Sequence, residues 1–324
     1  MPWEGLLQTV SKDPTDENQD AARVFADCVA IADGASSGFD SGRWAWRLVD
    51  AAPNLISAIC ETPVRLQRRW GSAKRTASGG WGSADPLEAA RRQFDELQRR
   101  HDSEIPTGGS QYLQEARSRG ASSTLAFAWL GANPSRLNLL SLGDTCWLLL
   151  DRDQSTCAFP YDHASEFPDQ PRLLYSTPGR VGTHSRFVSV AAAVIAIRLR
   201  EYRRTEIVQT LAFDPARHEL LGCTDAVAQW LLTDGPSERS LRLSTLLRAL
   251  RIDGAMPAEP RRSRCSPRLE KKKARKQGAR TSVMHTHAES REFQRLIERE
   301  RAAGRMRRDD STAVLARWIP GISA

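Results

Sequence analysis

The chain reads as an α+β protein. Many strand-like segments are joined by short turns suited to antiparallel pairing, and helical segments lie between and after them without a strict strand–helix alternation. Neither G-x-G-x-x-G nor G-x-x-x-x-G-K-[ST] occurs, so both glycine-rich signatures of nucleotide-binding parallel sheets are missing. The 324 residues, 40% of them apolar, suffice for one large domain with a real core.

Taken in order, residues 5–11 and 23–32 read as two strands around polar DPTDENQD. Residues 41–60 read as a helix with Trp44, Leu48 and Val49 on one face, broken or kinked at Pro53. Residues 62–85, rich in Arg, Gly, Ser and Trp, read as a loop. A helix over 86–100 comes next, with Pro86 in its first turn and Leu87, Ala90, Phe94 and Leu97 as its stripe. Residues 122–130 and 136–142 read as paired strands, and 146–150 as a third after the Gly143-Asp144 turn. The apolar stretch 186–197 fits strand or helix. Residues 206–213 and 219–223 read as a hairpin around Asp214-Pro215. Helices are expected over 225–232, 241–250 and 290–303, and a last strand over 311–318.

The net charge of +8 is local. Residues 261–280, from Arg261 to Arg280, carry ten Lys/Arg and one acid, Glu270, so that segment holds +9 and the rest of the chain is near neutral. With its prolines and few apolar residues, 257–281 reads as a basic, mobile insertion in an otherwise single domain spanning 1–324. It lacks interleaved aromatics for base stacking, which argues against nucleic acid and leaves a solvated loop or a docking arm for an acidic partner. The six cysteines form no C-x-x-C pair and read as free thiols in a reducing compartment. His285 and His287 read as solvated. No apolar run spans a membrane and no signal peptide is apparent, so the expectation is a cytoplasmic protein.

The chemistry sits in aspartates at strand ends. Cys28 to Gly38, CVAIADGASSG, is a buried strand that stops at Asp33-Gly34; the sheet fixes the carboxylate, and glycine lets the backbone turn so that its carbonyl also faces a ligand. Asn18-Gln19-Asp20, Gly143-Asp144-Thr145, Thr224-Asp225-Ala226 and Asp309-Asp310-Ser311-Thr312 repeat the design. Taken singly, each is an ordinary turn aspartate. Together, carboxylates without His or Cys fit Mg²⁺ or Mn²⁺ far better than zinc. Two such ions about 3.5–4 Å apart can acidify a shared water and neutralise a phosphate ester.

The ordered motifs ENQD, IADGASSG, GASSTL, LLSLGDTCWLL, LLGCTDAVAQWLL and DDSTAVLARW resemble those of type 2C metal-dependent Ser/Thr protein phosphatases of the bacterial type, over about residues 5 to 318. The resemblance implies a four-layer sandwich, two central antiparallel sheets flanked by helices, with a dinuclear Mg²⁺ or Mn²⁺ centre at one end. It implies that Asp33 bridges both metals, that the Gly34 carbonyl binds one, and that Asp225 and Asp309 hold the other. It further implies a supporting role for Asp20, a third and weaker metal on Asp144 with Asp225, and a metal-bridging water as nucleophile in place of any side chain. The implied substrate is a phosphoserine or phosphothreonine protein, such as a Ser/Thr kinase or its target.

Several positions depart from that pattern: Gln19 stands for Glu, Ala226 for Gly, and Ala35 where animal-type members carry a proton-donating His. A second Thr-Asp-Gly, at Asp234, competes with Asp225, which is preferred because it directly follows an apolar strand. Lys12 is the candidate for gripping phosphate, against its reading as a surface lysine. The competing expectation is a catalytically weak or inactive regulatory module on the same fold.

Overall fold

The computed structural model describes residues 3–36, 38–70, 86–105, 109–131, 133–151, 154–171, 173–176, 208–233, 235–254 and 291–319. The stretch 186–197, the insertion 257–281, Asp234 and the histidines 285 and 287 lie outside them.

Two five-stranded antiparallel sheets stack face to face. One runs β1 (Trp3–Val10), β12 (Ser311–Trp318), β11 (His218–Cys223), β7 (Cys146–Asp151), β8 (Gln154–Phe159). The other runs β10 (Val208–Ala212), β6 (Arg136–Leu142), β5 (Leu125–Leu130), β3 (Cys28–Ala32), β2 (Ala21–Val24). Two short strands, β4 (Ser122–Ser123) and β9 (Leu174–Tyr175), pair separately. This is the α+β sandwich that the motifs imply.

Three apolar layers hold it. Between the sheets lie Trp3, Val29, Ile31, Leu137, Leu139, Trp147, Phe213, Leu220 and Val314, all buried. The β3 strand lies inside its sheet and is covered on both faces, so its five residues, CVAIA, are buried without alternation. Outside it pack α1 (Ser41–Trp70) and α2 (Pro86–Glu104); Trp44, Leu48, Val49, Ala52 and Leu55 form the buried stripe of α1. Trp44 also donates its indole N–H to the Leu174 carbonyl at 2.9 Å. Against the other sheet pack α4 (Asp225–Leu232), α5 (Pro236–Gly254) and α6 (Arg291–Ala302), through Trp230, Leu231, Leu246, Leu250, Phe293 and Ile297. The short α3 (Gln111–Arg119) is capped by Ser110, whose hydroxyl accepts from Leu113 N.

Some expectations change. The segment 23–32 is a hairpin, β2 to β3, closed by Phe25 N donating to Cys28 O at 2.7 Å. The α1 helix runs through Pro53 to Trp70, beyond the expected boundary at 60 and into the expected loop; at Pro53 the buried stripe carries on through Leu55 and Ile56, which outweighs the hydrogen bond that proline removes. The expected hairpin at 206–223 is not one. β10 pairs with β6 in one sheet, whereas β11 pairs with β12 and β7 in the other, so the Asp214 turn crosses between layers. The β8 strand and α3 have no counterpart among the expected elements. The thiols of Cys28, Cys146, Cys157 and Cys223 are free, as expected.

Candidate metal centre

The candidate site lies where β3, the turn before β7, the start of α4 and the start of β12 meet. Asp33 leaves the buried end of β3, and its turn is strapped by the Gly120–Leu125 motif. Asp33 N donates to Thr124 Oγ1 at 3.0 Å, Thr124 N donates to Asp33 O at 2.9 Å, and Ser123 Oγ donates to the same carbonyl at 2.8 Å. Gly34 forms an isolated bridge to Ser123. A Cβ at Gly34 would stand 2.5 Å from the Gln19 carbonyl and 3.0 Å from that of Ser41, so only glycine fits between those backbones. The strap continues: Thr124 Oγ1 meets Thr145 Oγ1 at 2.8 Å, which ties the Asp33 turn to the Asp144 turn.

Threonines likewise fix the other side. Thr224 stands at the N-terminal cap position of α4, and Asp225 is the helix's first residue. Thr312 N donates to Thr224 Oγ1 at 3.0 Å, and Thr224 Oγ1 donates to Asp20 Oδ2 at 3.1 Å. Asp310, buried, accepts from Lys12 N and from Gln19 N, each at 2.7 Å. It therefore pins the loops after β1 and before β2 to the start of β12.

The carboxylates act on one another. Burial pushes Asp33 well above the usual carboxylate range, and Asp20, Asp225, Asp144 and Asp309 push it further. Burial also raises Asp20, helped by Asp310. Asp144 is pushed up to about 7, chiefly by burial and then by Asp225. Asp225 is raised by burial, opposed by Arg307 and by a side-chain hydrogen bond with Asp33. All five aspartates of the expected set thus meet at one end of the sandwich. Lys12 is close by, its Nζ 2.9 Å from Ser36 Oγ beside the Asp33 turn. Among the described residues, no three His, Cys, Asp or Glu side chains close to metal-ligating geometry as they stand.

The donor set nevertheless fits a hard cation. Asp20 Oδ1 and Asp225 Oδ1 are buried and find no hydrogen-bond partner, an expensive arrangement unless a cation completes it. Every candidate donor is oxygen, as Mg²⁺ and Mn²⁺ prefer.

The model of the family described as protein phosphatase 2C matches residues 15–246. The chain belongs to the protein phosphatase 2C family. It is thereby a serine/threonine protein phosphatase by family. The matched span of this phosphatase holds Asp20, Asp33, Gly34, Asp144 and Asp225, and the loop before β12 brings in Asp309 from beyond it. Among curated proteins none matches it in sequence.

Solved structures like it include the catalytic domain of the phosphatase PstP in complex with two manganese ions, at 15% identity, covering 98% of this chain and 99% of that one, TM-score 0.41. The serine/threonine phosphatase PstP/Ppp of Mycobacterium tuberculosis is 16% identical, with 99% and 100% covered and a TM-score of 0.41. The phosphatase MsPP of Mycobacterium smegmatis, in complex with cacodylate, is 12% identical, with 98% of each chain covered and a TM-score of 0.37. The family match carries the assignment.

Two residues of the site escape sequence reasoning. Asp310, part of a motif in the sequence, clamps two loops to β12. Arg307, which belongs to no motif, places its Nη1 2.8 Å from Asp225 Oδ2. The doubled acid at 309–310 is a signal for the first; no local pattern marks the second.

Proposed function

We propose that this phosphatase hydrolyses phosphoserine and phosphothreonine on proteins with Mg²⁺ or Mn²⁺ as its cofactor. The observation that carries the reading is the convergence of five buried or half-buried aspartates, two of them with a buried oxygen lacking any partner. Asp33, the Gly34 carbonyl, Asp225 and Asp309 would hold two ions, with Asp20 in support and Asp144 offering a place for a third. Ions bound there supply charge neutralisation for the phosphate and an acidified water as nucleophile. The chain's own part is rigidity. Thr124, Thr145, Thr224 and Thr312 tie together the turns that carry the carboxylates, so little reorganisation is needed when charge develops. Lys12, beside the Asp33 turn, would receive phosphate oxygens. Ala35 cannot supply the proton for the leaving alkoxide.

The substrate is a phosphorylated protein, a Ser/Thr kinase or its target among the candidates, and the basic segment 261–280 is offered to an acidic partner. No described helix is long and apolar enough to cross a membrane; we place the protein in the cytoplasm.

The specificity is tested with matched peptides carrying phosphoserine, phosphothreonine or phosphotyrosine, in Mn²⁺. The reading expects release from the first two at least tenfold faster than from the third. Preference for phosphotyrosine would contradict it, and no release from any peptide would leave the non-catalytic module.

A further inference from the structure

One of the site's carboxylates already carries a cation from the chain itself. Arg307 Nη1 stands 2.8 Å from Asp225 Oδ2, and its Nη2 lies 4.0 Å from Asp309 Oδ2. Arg307 sits on the loop between α6 and β12, and its side chain is 57% exposed while that of Asp225 is 7% exposed. The neighbouring arginines are engaged elsewhere. Arg305 is held by Glu300, Arg308 by Asp13, and Arg301 by the Ser11 and Asp309 carbonyls and Ser311 Oγ. Of these four arginines, Arg307 alone pairs with a carboxyl group of the candidate centre.

We propose that Arg307 is a built-in competitor for divalent ions: its guanidinium claims an oxygen of Asp225 and sets its charge beside Asp309, where an ion would bind, so its displacement sets metal affinity. The inference rests on the metal-ion reading of the site. A guanidinium N–H directed at a carboxylate oxygen uses the lone pair that a cation needs, and two cations held on one carboxylate repel. The exchange is feasible because Arg307 approaches from an exposed loop and its charge returns to water at little cost, whereas Asp225 is buried at the start of α4. Arg307 thus neutralises part of the acidic cluster and raises the ion concentration at which the site fills.

Isothermal titration of Mn²⁺ into the full chain tests this without reference to turnover. Arg307→Gln should bind Mn²⁺ about threefold to fivefold more tightly than the parent, the range expected for removing a partly exposed competing ion pair. Arg307→Lys, which keeps the charge and loses the planar fork, should fall between the two. Arg308→Gln removes the same charge from a residue paired with Asp13 and should leave the affinity within about twofold. Circular dichroism of each variant verifies folding. Equal or weaker Mn²⁺ binding by folded Arg307→Gln overturns the proposal, as does an equal gain in Arg308→Gln, which would make the effect one of net charge. Absence of Mn²⁺ binding by the parent chain and every variant would instead remove the metal reading, and this inference with it.

Discussion

Asp33 and Asp225 show how far single residues can be read from sequence. One stands at a strand end before glycine, the other directly after an apolar strand, and a buried strand holds the residue at its end in a fixed place. Asp310 and Arg307 are not legible in the same way: their roles depend on segments far apart in sequence meeting, Lys12 and Gln19 in one case and Asp225 in the other. Asp33→Asn or Asp225→Asn should lower turnover by at least about a thousandfold with the fold retained, because each would remove a charged ligand of the proposed ions while relieving repulsion in a crowded acidic cluster. Asp234→Asn should leave turnover within about twofold, and a reversal of these two results would move the site to Asp234. Asp310→Ala should cost about 2–4 kcal/mol in urea unfolding, since two backbone N–H groups lose a charged acceptor. The raised carboxyls give a pH dependence with a definite sign. Asp20, Asp33 and Asp144 hold protons in the folded chain that the unfolded chain releases near pH 4. The stability they contribute is present at low pH and is lost as pH rises through about 7, where Asp144 ionises. The melting temperature of the metal-free protein should therefore fall between about pH 5 and 8, and a flat or rising profile would count against the crowded-carboxylate account.

At the scale of elements, periodicity locates most helices and strands, because a face buried on a sheet imposes its own spacing. It fails where the outcome depends on partners. Pro53 reads as a stop, yet the buried stripe of α1 continues past it. The segments either side of Asp214 read as a hairpin, yet they join different sheets. Nothing local distinguishes a turn that closes a hairpin from one that crosses a sandwich. One glycine shows how tightly the sheets mesh. Gly222 in β11 lies between Trp147 and Val314, and a Cβ there would stand 2.5 Å from the Trp147 ring and 2.9 Å from Val314 Cγ1. Gly222→Ala should cost about 1–3 kcal/mol by overpacking. Because β11 leads directly into the Thr224-Asp225 pair, it should also weaken Mn²⁺ binding. An unchanged urea midpoint would show that the central layer has slack that these distances deny.

For the whole molecule, two sheets and two outer helical layers bring acids from positions 20, 33, 144, 225 and 309 to one end, which no single segment could do. The order of the motifs makes that architecture legible; their mutual distances are not, because those depend on how the layers stack. The basic segment contains none of the acids. Deleting 260–277 should therefore leave hydrolysis of p-nitrophenyl phosphate intact. It should slow turnover of an acidic protein substrate at low salt and matter less at high salt, as steering is screened; loss of small-ester hydrolysis would place the segment in the core. The central claim, metal-dependent phosphoester hydrolysis at the aspartate cluster, is tested most directly by phosphate release from a phosphothreonine peptide by the purified chain in EDTA and after Mn²⁺ is restored. The account predicts no release above background in EDTA, and full release with Mn²⁺ that Asp33→Asn lacks. Release that persists in EDTA, or that survives Asp33→Asn, would contradict it.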